Sequence, residues 1–242
     1  MSNPRPNLGL NCFSDCLPKK IGDAKNSSGE KMTEKTETTD LEAVLEKKTK
    51  MRREAYDRRN AQEAKSEVSV KAVERFLALP EYQSAKTVMW YIHCRSETRT
   101  KEQLISEIEK KEKSIIVPYC TEDENGENKL GLWRLEDIEE MVVGKWNILE
   151  PPRDLWGNPE KEVEPEDLDL VMVPGVGFDR EGGRMGNGQG YYDRLMEKVR
   201  PDCPLIALCY ECQLFDRILT APHDVYMNKV VTENAVYAGR GR

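Results

Sequence analysis

Residues 168–199 read LDLVMVPGVGFDREGGRMGNGQGYYDRLMEKV. The apolar stretch Leu168 to Val173 has the character of a strand buried on both faces. The run from Gly175 to Gly190 holds seven of the chain's 16 glycines. Tyr191 to Val199 then carries helical spacing. Strand, glycine loop and helix start form an arrangement that binds anions. Glycines let backbone N–H groups approach a phosphate, and the helix N-terminus adds donors without partners and a partial positive charge. Arg180, Arg184 and Arg194 surround the loop. A bare glycine-rich loop at a sheet edge is the plainer reading, and the arginines with the Tyr191-Tyr192-Asp193 cluster argue against it.

Outward from this unit, strands and helices alternate. Thr39-Asp40-Leu41-Glu42 resembles a capping box opening a helix to about Asn60. Its apolar face carries Val44, Met51 and Ala55; its other face carries Lys47, Lys48, Lys50, Arg52, Arg53, Arg58 and Arg59, and reads as a solvated basic surface. A second helix spans Ser66 to Leu79, with Val70, Val73, Phe76 and Leu77 as its stripe and Pro80 after it. Lys86 to Ile92 is a buried strand. Thr100 caps a helix to about Lys111, Ser114 to Val117 is a strand stopped by Pro118, and Lys129 to Leu135 is another. Short helices are expected over 135–142 and 214–219, and strands over 205–210 and 225–231. The pattern predicts an α/β fold: an open, mostly parallel sheet with helices on both faces, Rossmann-like and three-layered. One domain is expected over residues 39–242, after a disordered tail over 1–38 whose polar composition cannot offset its ordering entropy.

Composition bounds the function. The chain has 242 residues, 37 basic against 44 acidic, for a net charge of −7, which disfavours bulk nucleic-acid binding. It contains no apolar run of the ~18 residues that a membrane span needs, and no apolar leader of a secretory signal. Seven scattered cysteines suggest reduced thiols and a cytoplasmic protein. Cys209 and Cys212 have C-x-x-C spacing but no partner pair, so metal or redox work is not expected of them.

The glycine run also resembles a family signature. Pro174-Gly175-Val176-Gly177-Phe178-Asp179, followed by Gly183-Arg184-Met185-Gly186-Asn187-Gly188-Gln189-Gly190-Tyr191-Tyr192-Asp193-Arg194, is similar to that of the 5-formyltetrahydrofolate cyclo-ligases. The resemblance extends from about Leu45 to Tyr237. It implies ATP-driven cyclisation of 5-formyltetrahydrofolate to 5,10-methenyltetrahydrofolate, with ATP as co-substrate, Mg²⁺ as cofactor, small-molecule partners only, and a monomer.

The resemblance also implies roles. Lys48-Thr49-Lys50-Met51-Arg52 matches the family's basic helix segment, so Lys48 and Arg52, on one face at i, i+4, would clamp the nucleotide phosphates. Arg184, Gly186, Asn187, Gly188, Gln189, Gly190, Tyr191 and Tyr192 would line the ATP site, with Arg184, Tyr192 and Asp193 at the reaction centre. Glu97, in Ser96-Glu97-Thr98, would anchor the pterin; Trp146 and Tyr191 would cover it. Asp193 and, more weakly, Asp224 would hold the metal, since magnesium often takes one carboxylate plus substrate phosphates. The chain departs from the pattern at Asn187, Gln189, Asn147 and Asn228. At Asn147 the family pattern has glycine; the loss of a cation at Asn187 and of an acid at Asn228 leaves open a folate- or nucleotide-binding regulatory protein without turnover. A sugar-phosphate isomerase or acyl-CoA transferase would need motifs that are not found.

Overall fold

The structure, a computed structural model, describes residues 33–144, 147–220 and 225–242, with side chains from residue 46 onward. The chain divides into two units, residues 1–43 and 44–242. The sheet and its flanking helices belong to the second. The expected tail lies outside the described residues as far as residue 32.

Helix α1 (Thr33–Ala61) starts earlier than the Thr39 expected. Helix α2 (Lys65–Leu77) buries Ala72, Val73 and Phe76, and α3 (Pro80–Ser84) begins on the proline expected to end α2. Strand β1 (Thr87–Met89) leads through a long loop to α4 (Lys101–Lys110), then β2 (Ser114–Glu122) and β3 (Asn128–Leu135). A small hairpin, β4 (Val142–Val143) and β5 (Leu149–Glu150), precedes β6 (Leu170–Val173). Next come β7 (Gly177–Asp179), β8 (Arg184–Met185), α5 (Tyr191–Lys198), β9 (Leu205–Leu208), β10 (Leu214–Phe215), β11 (Lys229–Val231) and β12 (Val236–Ala238).

The main sheet has seven strands in the order β12-β11-β9-β6-β1-β2-β3. The five inner strands pair in parallel, and β3 and β12 close the edges antiparallel. The expected α/β class therefore holds. Alternation along each strand feeds two cores. Val88, Trp90, Ile115 and Val117 pack with Phe76 and Leu104 on the α2 and α4 face. Met89, Ile116, Val171 and Val173 pack with Leu195 and Met196 of α5 on the other.

Three local expectations fail. Strand β2 runs through Pro118, because β1 has ended by that point and no ladder donor toward it is missed. Residues 214–215 form a strand rather than a helix. The Gln213 side chain donates to Gly175 O (3.1 Å) and Val176 O (2.9 Å), holding this segment against β7. Thr100 does not cap α4 with its side chain. Its hydroxyl donates to Tyr91 O (2.7 Å), and His93 Nδ1 instead accepts from Thr100 N (3.0 Å) and Lys101 N (3.3 Å).

Candidate active site

The parallel strands end on one side of the sheet, and their following loops converge there, the position where open α/β sheets bind ligands. Three loops matter: the one after β1, carrying Glu97; the one after β6, opening at Pro174; and the one after β9, reaching Gln213. The glycine run is not a single loop. Its first half is built into a separate three-stranded sheet, β10-β7-β8. Buried Asp179 ties this sheet together, accepting from Gly183 N (2.7 Å), Glu181 N (3.0 Å) and Ile218 N (2.8 Å). Only residues 186–190 remain as the loop before α5. Gly188 (φ 88°) and Gly190 (φ 73°) take left-handed conformations there, which a side chain would strain.

Of the three arginines around the run, one faces inward. Arg184 is 6% exposed. It donates to Pro174 O (3.3 Å) and pairs with Asp193, and its guanidinium lies 5.7 Å from the Tyr192 ring centre. Arg180 turns away toward Glu211 and Tyr237. Arg194 folds back onto Gln189 O (2.8 Å) and Asn128 O, closing the far end of the loop. Asn128 Nδ2 also donates to Gln189 O (3.1 Å).

Helix α1 supplies the facing wall. Arg52 Nε donates to Gly186 O (3.0 Å), and its guanidinium borders Gly188. Tyr56, one turn on, donates its hydroxyl to Asn187 Oδ1. Lys48, one turn before, is partly exposed. The basic face of α1 is not simply solvated. Arg58 donates to Leu214 O (3.0 Å) and stacks on Phe215 at 4.3 Å, while Arg59 is 3% exposed.

Glu97 completes the crevice. Its Oε2 accepts from Cys94 N (3.0 Å), and its carbonyl accepts from the Tyr210 hydroxyl (3.0 Å). Burial pushes the Tyr192 hydroxyl well above its usual 10.0, with Glu97 and Cys120 adding to the rise and Arg184 opposing it. Tyr192 is therefore a hydrogen-bond donor at neutral pH. Burial, reinforced by Glu97, pushes the Cys94 thiol up to about 12, which keeps it protonated and unreactive. Burial likewise raises the Cys209 thiol, and Cys212 donates to Arg58 O at 3.5 Å.

Beside Tyr191 and Cys120, the β4–β5 hairpin covers a recess of about 30 Å³ lined by Pro118, Tyr119, Cys120, Ile148, Leu149 and Glu150. Glu150 is 4% exposed and packs across Gly144. Asn147 sits at φ 60°, a conformation that glycine adopts freely and asparagine tolerates. Its departure from the family's glycine is thus conformationally neutral. Asn228 stands just before β11, accepting from Leu205 N (2.8 Å) where β9 begins, at the opposite end of the strands from the loops that form this crevice. Trp146 and Asp224 lie outside the described residues. Among the described residues no group of three His, Cys, Asp or Glu side chains could enclose a metal.

Fold and site together define an α/β protein with a glycine-rich loop facing a basic helix and a carboxylate across a crevice at the strand ends. The model of the 5-formyltetrahydrofolate cyclo-ligase family matches residues 44–233, and the chain belongs to that family. It is 32% identical over 180 residues to the mitochondrial 5-formyltetrahydrofolate cyclo-ligase of Arabidopsis thaliana, covering 66% of this chain and 64% of that one. The mouse 5-formyltetrahydrofolate cyclo-ligase is 28% identical over 174 residues, covering 69% and 83%. The chain thus spans just under two thirds of the plant relative's length and more of the mouse relative's. The solved structure of 5,10-methenyltetrahydrofolate synthetase from Aquifex aeolicus superposes with a TM-score of 0.67 at 31% identity, covering 81% of this chain and 94% of that one. No described helix is long and apolar enough to cross a membrane.

Proposed function

We propose that the chain converts 5-formyltetrahydrofolate and ATP to 5,10-methenyltetrahydrofolate, ADP and phosphate, acting as a cytoplasmic monomer built on residues 39–242. The observation that carries this reading is the crevice itself. Arg184, Tyr192 and Asp193 meet at the start of α5, with the Arg52 face of α1 on one side and Glu97 on the other.

The chemistry needs no protein nucleophile. A formamide oxygen is a poor leaving group and N10 a weak nucleophile, so the oxygen is first phosphorylated. The γ-phosphoryl group passes from ATP to the formyl oxygen, and ADP leaves. N10 then attacks the formyl carbon, the C–O bond to phosphate breaks, and N10 loses its proton. The protein must align the two substrates and neutralise moving charge. Arg184 offers a planar fork to the transferring phosphoryl oxygens from a buried position. Arg52 and Lys48 hold the phosphate chain from α1, and the 186–190 loop lies beneath it. Tyr192 donates to phosphate or formyl oxygen. Glu97 accepts from the pterin amine and ring N–H, with Trp146 and Tyr191 against the ring.

The donor set fits Mg²⁺. Asp193 is a hard oxygen ligand, 60% exposed at the helix start, and magnesium is commonly held by one carboxylate plus substrate phosphates. When bound, the ion would neutralise phosphate charge. Nucleotide phosphates meeting Arg184 would draw it from Asp193 and release that carboxylate for the metal; Asp224 is a second ligand candidate.

A binding protein without turnover would draw its support from Asn187 and Asn228. Asn187 has a partner in Tyr56, and Asn228 stands where β9 and β11 begin, at the other end of the strands, so neither leaves a gap in the crevice. The test is the absorbance of the methenyl product with purified protein, (6S)-5-formyltetrahydrofolate, ATP and Mg²⁺. A rise that needs both ATP and Mg²⁺ supports the enzyme. Binding of either substrate by calorimetry without any rise would establish the regulatory reading instead.

A further inference from the structure

Arg59 is a charged side chain, 3% exposed, at the meeting point of three elements. A guanidinium so deeply buried is retained at a cost unless its partners need it there. Its Nε donates to Ser96 Oγ (3.1 Å), and one terminal nitrogen donates to Gly175 O (3.3 Å). The same nitrogen lies 3.7 Å from Glu97 Oε1, and the guanidinium carbon sits 5.1 Å from the centre of the Tyr56 ring. Arg59 thus joins α1 to the loop after β1 and to the loop after β6.

The spacing along α1 is informative. Arg52, Tyr56 and Arg59 stand at i, i+4 and i+7 and share a face. The first two hold residues 186–187 of the nucleotide-side loop. The third reaches the carboxylate on the folate side. Glu97 is gripped from both ends: Cys94 N holds Oε2 and Arg59 flanks Oε1. A carboxylate that must accept two parallel hydrogen bonds from a flat ring needs its plane fixed beforehand, because every rotamer that it samples free must be frozen on binding.

We propose that Arg59 is a positioning residue for the folate half of the reaction: it fixes the Glu97 carboxylate, and through Ser96 the loop that carries it, in the orientation that receives the pterin. This rests on Glu97 being the pterin acceptor. The polar contacts of Arg59 are with Ser96, Gly175 and Glu97, none of them assigned to the phosphates or the formyl group, so its loss is expected to fall on one substrate.

The experiment is a kinetic double-mutant cycle between Arg59→Gln and Glu97→Gln, with KM determined separately for folate and ATP. R59Q is expected to raise the folate KM about tenfold, the scale of one oriented charge-assisted contact, while leaving the ATP KM within about twofold. In the E97Q background the same change should have little further effect on folate KM, because its target is gone. R59K, which keeps the charge but not the planar fork, should recover part of the loss. Equal losses for ATP and folate, or effects of R59Q and E97Q that simply multiply, would overturn the proposal and mark Arg59 as packing. If R59Q does not fold, R59K carries the same cycle with the same two outcomes. A wild-type protein without turnover would fail the enzymatic reading itself. Turnover with E97Q unaffected in folate KM would remove Glu97 from the pterin site, and the positioning role with it.

Discussion

At the level of single residues, the crevice is built from cations whose duties differ by burial. Arg184 and Arg59 are sunk, whereas Arg180 is exposed and committed elsewhere. A buried guanidinium aimed where charge moves works in a low-dielectric setting and needs no reorganisation during reaction. Arg184→Ala is therefore expected to lower kcat/KM by roughly 10²–10³-fold, the usual loss for one preorganised donor at a transition state. Steady-state kinetics with both substrates varied checks this, and unchanged constants would remove Arg184 from the phosphate site. The sequence made Arg184, Tyr192 and Asp193 legible because glycines and aromatics crowd around them. It did not reveal that Arg184 and Asp193 pair with each other, a contact that depends on how β8 turns into α5. Tyr56 and Arg59 were missed for a different reason. A basic helix face looks solvated until a tertiary partner covers it, and the only hint was their i+4 and i+7 spacing from Arg52.

At the level of elements, two features of the site's frame make distinct demands. Gly190 precedes α5 at φ 73°, and a Cβ there would meet the Arg194 guanidinium at 2.7 Å. Gly190→Ala should cost about 1–2 kcal/mol of stability from left-handed strain, measurable by urea unfolding. His93 is the cap of α4, and it can accept from Thr100 N and Lys101 N only while Nδ1 carries no proton. Burial holds its pKa below the usual 6.5, with Arg99 and Lys101 acting in the same direction and Glu102 opposing. The neutral form is favoured in the folded state. Its contribution is whole above pH about 6.5 and is lost as pH falls through the depressed folded value. Wild-type Tm should therefore decline between about pH 7 and 5 more steeply than that of His93→Gln. Parallel curves would deny the cap. This cap shows why element positions were readable and element ends were not. Thr100-Lys101-Glu102-Gln103 looks like a self-sufficient capping box, yet the acceptor arrives from a residue on the preceding loop. Likewise Pro118 marks a strand end only if a neighbour lies on its N–H side.

At the level of the whole molecule, alternating strands and helices were enough to give the class of fold, because parallel strands buried on both faces read as continuous apolar runs separated by helices. The edges were less legible. Strand β12 and the β10-β7-β8 sheet are made of two- and three-residue strands, too short to show any period. The core on the α2 side turns on Phe76, edge-to-face with Tyr82 at 5.3 Å and Trp90 at 5.8 Å. Phe76→Ala should cost about 3–5 kcal/mol without changing substrate KM values in the fraction that stays folded. Deleting residues 1–38 should leave turnover intact, since the α1 residues assigned to the crevice start at Lys48; a dead truncation would make the N-terminal segment part of the site. The central claim for the molecule is that it activates the formyl oxygen by phosphorylation. Heavy-oxygen label placed in the formyl group of 5-formyltetrahydrofolate tests it most directly, with released phosphate analysed by mass spectrometry after turnover with unlabelled ATP. The expected result is one labelled oxygen in each phosphate released. Methenyl product formed while the phosphate stays unlabelled would contradict it.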